Sequence, residues 1–311
     1  MYSRLISSGG YLPHKQLSNE ELAKEKKLDT SDEWIVARTG IMKRHICEED
    51  ETSLDMAYQA AKQAIKKAEI DKESIDLIIF ATCTPSGIMP SEACKLQNML
   101  NIKTHTIAFD INAACSGFVY GMITADNFIK SNQAKCALVI GSDKMTSLLN
   151  WQDRSTCVLF GDGAGAVILK ADNYPGVLNS VIGADGEKQG LLYTDIKTNH
   201  INMSGQEVFK HAVKKLDSLV AEIITPVGLS HNDIDWLIPH QANIRIINST
   251  AKMLKMPLKR VVRTVSEHAN TSAASIPLAL NSVFDKLTPG EHILIEAFGA
   301  GFTWGGLVIK F

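Results

Sequence analysis

The sequence lacks the features that mark proteins outside the ordinary globular class. Its six cysteines include no Cys-x-x-Cys pair and no metal-site spacing, so we expect reduced thiols and neither a disulfide framework nor a metal. No apolar run approaches the roughly 18 residues of a membrane helix, and the first residues do not resemble a secretion signal. The net charge of −2 argues against bulk attraction to nucleic acid. These absences predict a soluble, cytoplasmic protein without a membrane or nucleic-acid partner.

What the chain does have is a large apolar content and an internal repeat. It has 311 residues, of which 45% are hydrophobic, and a prior of one domain per ~150 residues predicts two domains or one large one. The segment 75–79 is echoed by 234–238, and each half continues with a helix start and an apolar strand. Such a duplication predicts two stacked α/β halves. We divide them at 1–172 and 173–311.

A glycine-rich segment at 161–165 superficially resembles a phosphate-binding loop. It lacks the Lys-Ser/Thr pair and the following helix that such a loop needs, because the next residues, 167–169, are typical of a strand. We therefore predict a tight hairpin with close backbone contact here, and no nucleotide site.

Cys115 lies where a predicted strand turns into a predicted helix. Residues 106–109 are apolar, and apolar residues recur at helical spacing from Phe118 to Ile129. A thiol at a helix N-terminus meets the positive end of the dipole and unpaired amides, which lower its pKa and favour the thiolate. The alternative is a buried structural cysteine, since free cysteine is among the most buried residue types.

Two further polar residues are predicted to meet Cys115. Asn270 opens a helix at the place in the second half that Cys115 takes in the first, so the duplication should bring them together at the pseudo-twofold axis. His240 ends an apolar strand, where a lone histidine would ordinarily be a satisfied core residue. Opposite a helix-start Cys and a helix-start Asn, we expect His240 to have a functional role.

These segments resemble the 3-oxoacyl-[acyl-carrier-protein] synthase III family, the initiating condensing enzymes of bacterial type II fatty acid synthesis. The resemblance runs through the whole chain and implies a thiolase fold, an α/β architecture of five layers αβαβα, in a homodimer. Its most specific motifs are residues 30–34, the segment around Cys115, and residues 240–243, 268–275 and 301–305.

The family resemblance implies the catalytic set Cys115, His240 and Asn270. Elongating condensing enzymes of this fold have the catalytic set Cys-His-His, so the asparagine at position 270 favours the initiating type. Degradative thiolases use a second cysteine in the C-terminal half, and no cysteine follows Cys157 here.

The implied reaction is a decarboxylative condensation. An acyl-CoA primer, expected to be acetyl-CoA, acylates Cys115, and malonyl-acyl carrier protein then loses CO₂ and attacks the acyl group. The backbone amides of Cys115 and Ala300 would hold the oxyanion, and neutral His240 and Asn270 would stabilise the enolate. Coenzyme A enters as part of a substrate, and no cofactor is implied.

The resemblance also assigns residues around the catalytic set. Several assignments have a simpler alternative. Trp34 and Arg38 also suit a helix-stabilising pair, and Arg154 also suits a surface ion pair. The docking lysines, Lys210 and Lys252, also suit exposed side chains that are only solvated. Met89 stands where the family often has Phe reaching into the partner subunit's site, and its flexibility predicts looser acyl selection. The implied positions are Thr30, Trp34, Arg38 and Arg154 for coenzyme A, Met89 and Phe298 for the acyl group, and Lys210, Arg245 and Lys252 for carrier-protein docking.

Three rival functions stay open at this point. Cys, His and Asn in this chain order also recur in cysteine hydrolases, although the local signature and the α/β repeat do not suit one. A protein that binds acyl-CoA or acyl carrier without condensing them is disfavoured, because all three polar residues are present. A related condensing enzyme with a longer or specialised starter, serving a secondary metabolite, is not separated from the main prediction.

Overall fold

The structure, a computed structural model, describes residues 1–103 and 105–311 and contains two mixed β-sheets. The strands are β1 Tyr2–Tyr11, β2 Lys15–Ser18, β3 Lys43–Ile46, β4 Leu77–Ala81, β5 Ile107–Ile111, β6 Cys136–Lys144, β7 Asp162–Asp172, β8 Val177–Ala184, β9 Leu192–Thr194, β10 Ile201–Met203, β11 Trp236–Pro239, β12 His292–Gly299 and β13 Thr303–Lys310. The helices are α1 Asn19–Lys26, α2 Asp32–Thr39, α3 Ser53–Ala68, α4 Glu92–Met99, α5 Gly117–Lys130, α6 Gly205–Ile224, α7 Ile244–Met253, α8 Val265–His268 and α9 Ser275–Val283.

The two sheets have related strand orders. The larger runs β1-β7-β6-β4-β5 and the smaller β8-β13-β12-β11, with β4 beside β6 and β11 beside β12 in parallel. A single parallel bridge from Leu237 to Val261 stands in the second half where β5 stands in the first. The larger sheet takes its strands from before residue 173 and the smaller from after it. On this basis we propose that the halves meet at residue 172.

Successive side chains along each central strand enter different hydrophobic layers. In β4, Leu77 and Ile79 pack in the middle layer with α5 and α9, whereas Ile78 packs outward against α3 and α4. In β12, Ile293 packs in the middle layer and Leu294 packs outward with α6 and α7. Strands buried on both faces are continuously apolar, as the sequence shows. The five layers αβαβα confirm the predicted fold class.

Equivalent carboxylates align the parallel strands of the two halves. Asp76 accepts the backbone N–H of Cys136 at 2.9 Å, at the start of β6. Asp235 accepts the backbone N–H of His292 at 2.9 Å, at the start of β12. The repeat detected at 75–79 and 234–238 therefore includes the side chains that fix strand register.

The glycine-rich segment differs from the prediction. It opens β7, a strand antiparallel to both β1 and β6, so the predicted hairpin is wrong. A Cβ on Gly165 would lie 2.6 Å from the Cβ of Pro277 in α9. Gly163 and Gly165 thus make room for a helix of the other half, and the close contact is tertiary where the sequence suggested a local turn.

Candidate active site

Cys115 lies in a single 3₁₀ turn, Ala114–Ser116, between β5 and α5. Strand β12 of the other half passes against this turn at Gly299. A Cβ on Gly299 would lie 2.9 Å from the backbone nitrogen of Cys115. Glycine therefore lets the second half approach the backbone amide of the nucleophile candidate.

The protonation state of Cys115 differs from the prediction. Burial raises the pKa of the Cys115 thiol to about 12, because removal from water disfavours the charged thiolate. A hydrogen bond from Ser272 and the backbone amide of Cys115 oppose this shift, and the buried Asp143 carboxylate adds to it. The predicted lowering of the pKa is therefore wrong, and the site holds a protonated thiol that is only 8% exposed.

His240 directly follows β11 and is held at both its backbone and its ring. Its backbone N–H donates to the carbonyl oxygen of Glu296 at 2.8 Å, continuing the pairing of β11 with β12. Its Nδ1 lies 2.6 Å from Oγ of Ser275. Burial lowers the pKa of His240 to about 4, so the imidazole is neutral near pH 7.

Asn270 is tied by its backbone to the first half of the chain. Its N–H donates to the carbonyl oxygen of Leu159 at 2.9 Å, and its own carbonyl accepts the N–H of Gly161 at 3.1 Å. The side-chain Oδ1 accepts the backbone N–H of Ser272 at 2.8 Å. Because a donor must face the oxygen, the two N–H groups of the amide point away from Ser272.

Cys115, His240 and Asn270 line one cavity of about 120 Å³. Its walls are mostly apolar and include Phe298, the predicted acyl-pocket residue. Ala300 does not line this cavity. It lines an adjoining one of about 320 Å³ that also reaches Cys115. The structure thus brings the three predicted polar residues together from three distant segments.

Thr303 links the two backbone segments predicted to hold an oxyanion. Its Oγ1 lies 2.9 Å from the carbonyl oxygen of Ala113 and 3.0 Å from that of Ala300. Its own carbonyl accepts the hydroxyl of Ser116 at 3.1 Å. These contacts fix the Cys115 turn relative to the loop between β12 and β13.

Two guanidinium groups approach the ring of Trp34. The Cζ of Arg38 is 4.3 Å from the ring centroid and that of Arg154 is 5.2 Å from it. Arg154 also donates to the backbone carbonyl of Asp29 and forms an ion pair with its carboxylate at 3.6 Å. Oγ1 of Thr30 is buried and has no hydrogen-bond partner among the described residues. Coenzyme A binding by this group stays a prediction.

Met89 lies away from the cavities beside Cys115 of its own chain. It is 84% exposed, and the neighbouring Ile88 is fully exposed. Its predicted role in an acyl pocket therefore needs a partner subunit and stays a prediction.

The three predicted docking residues are exposed on two packed helices. Lys210 lies on α6, and Arg245 and Lys252 lie on α7. The Cζ of Arg245 is 5.0 Å from the ring centroid of Phe209, so α6 and α7 present these cations on adjoining surfaces. None of the three forms an ion pair in the part of the chain that the structure describes.

Three residues that contact or electrostatically influence the catalytic candidates, Ser272, Ser275 and Asp143, have no predicted role from the sequence. Ser272 and Ser275 lie three residues apart within the 268–275 motif. This spacing is the feature of the sequence that could have indicated a role for them. Asp143 is fully buried at the end of β6 and accepts the backbone N–H of Cys83 at 2.8 Å and of Ala273 at 3.0 Å. It thereby joins the first half to the turn that carries Ser272.

Two absences apply to residues 1–103 and 105–311. These residues contain no group of three or more His, Cys, Asp or Glu side chains arranged to hold a metal ion. They also contain no helix long and apolar enough to cross a membrane.

Comparison with known proteins gives consistent matches. The family model for 3-Oxoacyl-[acyl-carrier-protein (ACP)] synthase III matches residues 109–186, and the model for its C-terminal part matches residues 224–311. The structure of 3-oxoacyl-[acyl-carrier-protein] synthase III from Aquifex aeolicus is 44% identical, with a TM-score of 0.95 over 99% of this chain and 100% of that one.

Two further solved structures are similar over nearly the full length. The 3-oxoacyl-(acyl carrier protein) synthase III from Pseudomonas aeruginosa is 39% identical, with a TM-score of 0.94 over 100% of this chain and 98% of that one. The priming β-ketosynthase from the R1128 polyketide biosynthetic pathway is 32% identical, with a TM-score of 0.94 over 100% and 96%.

Proposed function

The chain belongs to the 3-oxoacyl-[acyl-carrier-protein] synthase III family of condensing acyltransferases, and we propose that it condenses acetyl-CoA with malonyl-acyl carrier protein. The products are a 3-oxoacyl-carrier protein, free coenzyme A and CO₂. The observation that carries this proposal is the convergence of Cys115, His240 and Asn270 on one mostly apolar cavity.

In the first step, the sulfur of Cys115 attacks the thioester carbonyl of the primer. A new thioester forms at Cys115, and the bond to the coenzyme A sulfur breaks. The thiol proton that Cys115 gives up ends on the departing coenzyme A, so the exchange is neutral overall. The start of α5 and the hydrogen bond from Ser272 favour the anion transiently, against the burial that keeps the resting thiol protonated.

In the second step, malonyl-carrier protein loses CO₂ and leaves an enolate. Its negative oxygen needs donors that do not protonate the carbon, and a neutral imidazole N–H and an amide N–H suit this need. The amide N–H groups of Asn270 point away from Ser272, and the burial of His240 keeps its ring neutral. The carbanion then attacks the acyl group on Cys115, and the backbone amides of Cys115 and Ala300 hold the resulting oxyanion until the sulfur leaves.

The surroundings of the cavity support the two thioester substrates. Trp34, flanked by Arg38 and Arg154, suits an adenine ring by stacking and a phosphate by charge. Lys210, Arg245 and Lys252 suit an acidic carrier protein. Each of these roles rests on the contacts described above and is part of the proposal.

We include a homodimer in the proposal. Strand β5 is the edge of the larger sheet, and its residues Ile107, Phe109 and Ile111 are only half-buried. Ile88 and Met89 are exposed on a nearby loop. A second copy that covers these apolar residues places its Met89 beside the cavity of about 320 Å³ and completes the acyl pocket.

In the decisive experiment, the purified protein is incubated with a panel of acyl-CoA primers and malonyl-carrier protein. We expect 3-oxoacyl-carrier protein, measured by intact mass, with acetyl-CoA among the best primers. Cys115→Ala should abolish product, while Cys94→Ala, at an exposed thiol, should not. Release of free acid from acyl-CoA without carrier protein would instead identify a hydrolase and refute the proposal.

A specialised or longer starter is the second candidate. It is favoured by the similarity to the priming β-ketosynthase of a polyketide pathway and by the volume of the cavity beside Cys115. In the same assay, this candidate predicts kcat/KM values for longer or branched primers at least tenfold above that for acetyl-CoA.

A further inference from the structure

The ring of His240 has one nitrogen held by protein and one facing the cavity. Nδ1 lies 2.6 Å from Oγ of Ser275, and both residues are almost fully buried, with Ser275 only 2% exposed. Nε2 has no hydrogen-bond partner among the described residues, although His240 lines the cavity shared with Cys115. A neutral imidazole carries its proton on only one of these nitrogens.

The surroundings of Ser275 indicate which nitrogen carries the proton. The backbone N–H of Gln241 points at Oγ of Ser275 at 3.4 Å, so this oxygen already has a donor. Within the described residues, the acceptor in reach of the Ser275 hydroxyl proton is Nδ1 of His240. A proton on Nδ1 would set two donors against one another and leave the buried hydroxyl without an acceptor, which is unfavourable.

We infer that Ser275 is a positioning residue that donates its hydroxyl proton to Nδ1 of His240 and thereby fixes the Nε2–H tautomer. The cavity then receives an N–H donor from His240, beside the N–H donors of Asn270. Because Ser275 opens α9 only a few residues after Asn270, one short segment orients both donors. This inference rests on the proposed function for its consequence in decarboxylation, but not for the tautomer itself.

The tautomer is tested first, without substrate. Nitrogen NMR of protein labelled at histidine nitrogens separates a protonated ring nitrogen from an unprotonated one, and a His240→Gln variant identifies the signals of this ring. We expect an unprotonated Nδ1 and a protonated Nε2 in the wild-type protein near pH 7. A protonated Nδ1 there would overturn the inference even if every variant failed to fold.

The variants then test the role. In Ser275→Ala we expect an Nδ1–H population to appear and malonyl decarboxylation to fall roughly 10–100-fold, the range typical for loss of a group that orients a metal-binding histidine. Acetylation of Cys115 should stay within twofold of wild type. Ser275→Thr, which keeps the hydroxyl, should restore both readouts.

The control is Ser282→Ala on the same helix, where the hydroxyl bonds only the carbonyl of Ala279. It should match wild type in tautomer and rate. An unchanged tautomer in Ser275→Ala, or decarboxylation within twofold of wild type, would refute the inference. If wild-type protein does not condense the substrates at all, the proposed function fails, and the NMR result still decides the tautomer.

Discussion

The side-chain oxygen of Asn270 accepts the backbone N–H of Ser272 at 2.8 Å, so the donor end of this amide points away from Ser272 in a side chain that lines the cavity shared with Cys115. The cavity therefore contains a protonated thiol and amide donors in an apolar surrounding. In such a surrounding, a donor aimed at a developing negative oxygen is worth more than it would be in water. The orientation of the Asn270 amide thus depends on the backbone N–H of Ser272, two residues further along the chain.

The first prediction separates the two halves of the reaction. His240→Ala and Asn270→Ala should still accept acetyl on Cys115 but lose malonyl decarboxylation by about 10²–10³-fold each, since each removes one donor from the enolate oxygen. Intact mass measures the acetyl adduct, and release of labelled CO₂ measures decarboxylation. Asn202→Ala, at an exposed amide, serves as the control. Equal loss of both steps would contradict the assignment.

The second prediction concerns coenzyme A. Trp34→Ala should raise the KM for acetyl-CoA about tenfold, because loss of one stacking partner for a base costs ~1–3 kcal/mol. Trp34→Phe keeps an aromatic ring, so its KM for acetyl-CoA should lie between those of the wild type and Trp34→Ala. The KM for malonyl-carrier protein is the internal control. If Trp34→Ala changed only the KM for malonyl-carrier protein, coenzyme A would have to bind at a site other than Trp34.

The third prediction concerns acyl selection. Met89→Phe should sharpen the preference for acetyl-CoA, because a rigid ring leaves less space than the flexible thioether. The measurement is the ratio of kcat/KM for acetyl-, butyryl- and isobutyryl-CoA in both proteins. Identical ratios would remove Met89 from the acyl pocket.

The fourth prediction concerns the carrier protein. Arg245→Glu should raise the KM for malonyl-carrier protein, most strongly at low ionic strength, because exposed charges act mainly through attraction that salt screens. Combination with Lys210→Glu and Lys252→Glu should add to the effect. Lys66→Glu on α3, in the opposite outer layer, is the matched control. Equal effects from Lys66→Glu would show that only net charge matters.

The fifth prediction concerns the contact between the halves. A Cβ on Gly141 would lie 2.3 Å from the carbonyl oxygen of Ala273, and backbone atoms cannot yield as a side chain does. Gly141→Ala should lower the free energy of unfolding by about 3 kcal/mol, at the upper end of the usual cost of overpacking. Gly186→Ala, where a Cβ meets nothing within 4 Å, should change it little. Denaturant unfolding of both variants decides the matter.

Much of the fold was predictable because its signals are local and repeated. The repeat at 75–79 and 234–238 implied two similar halves, and the continuous apolar runs implied strands buried on both faces. The glycine segment at 161–165 was predicted wrongly as a hairpin, because Gly163 and Gly165 make room for α9, which lies more than a hundred residues later. No local pattern carries that contact.

The sequence by itself determined the two stacked α/β halves, which follow from the internal repeat, and, through the family resemblance of its motifs, the residue types of the site. Only the tertiary structure decided the protonation of Cys115, because burial is set by both halves together and outweighs the helix start that the sequence reveals. Only it brought Ser275 to His240 and Asp143 to the backbone of Ala273. Charge and hydrogen bonding act through distance in space, and distance along the chain does not give it.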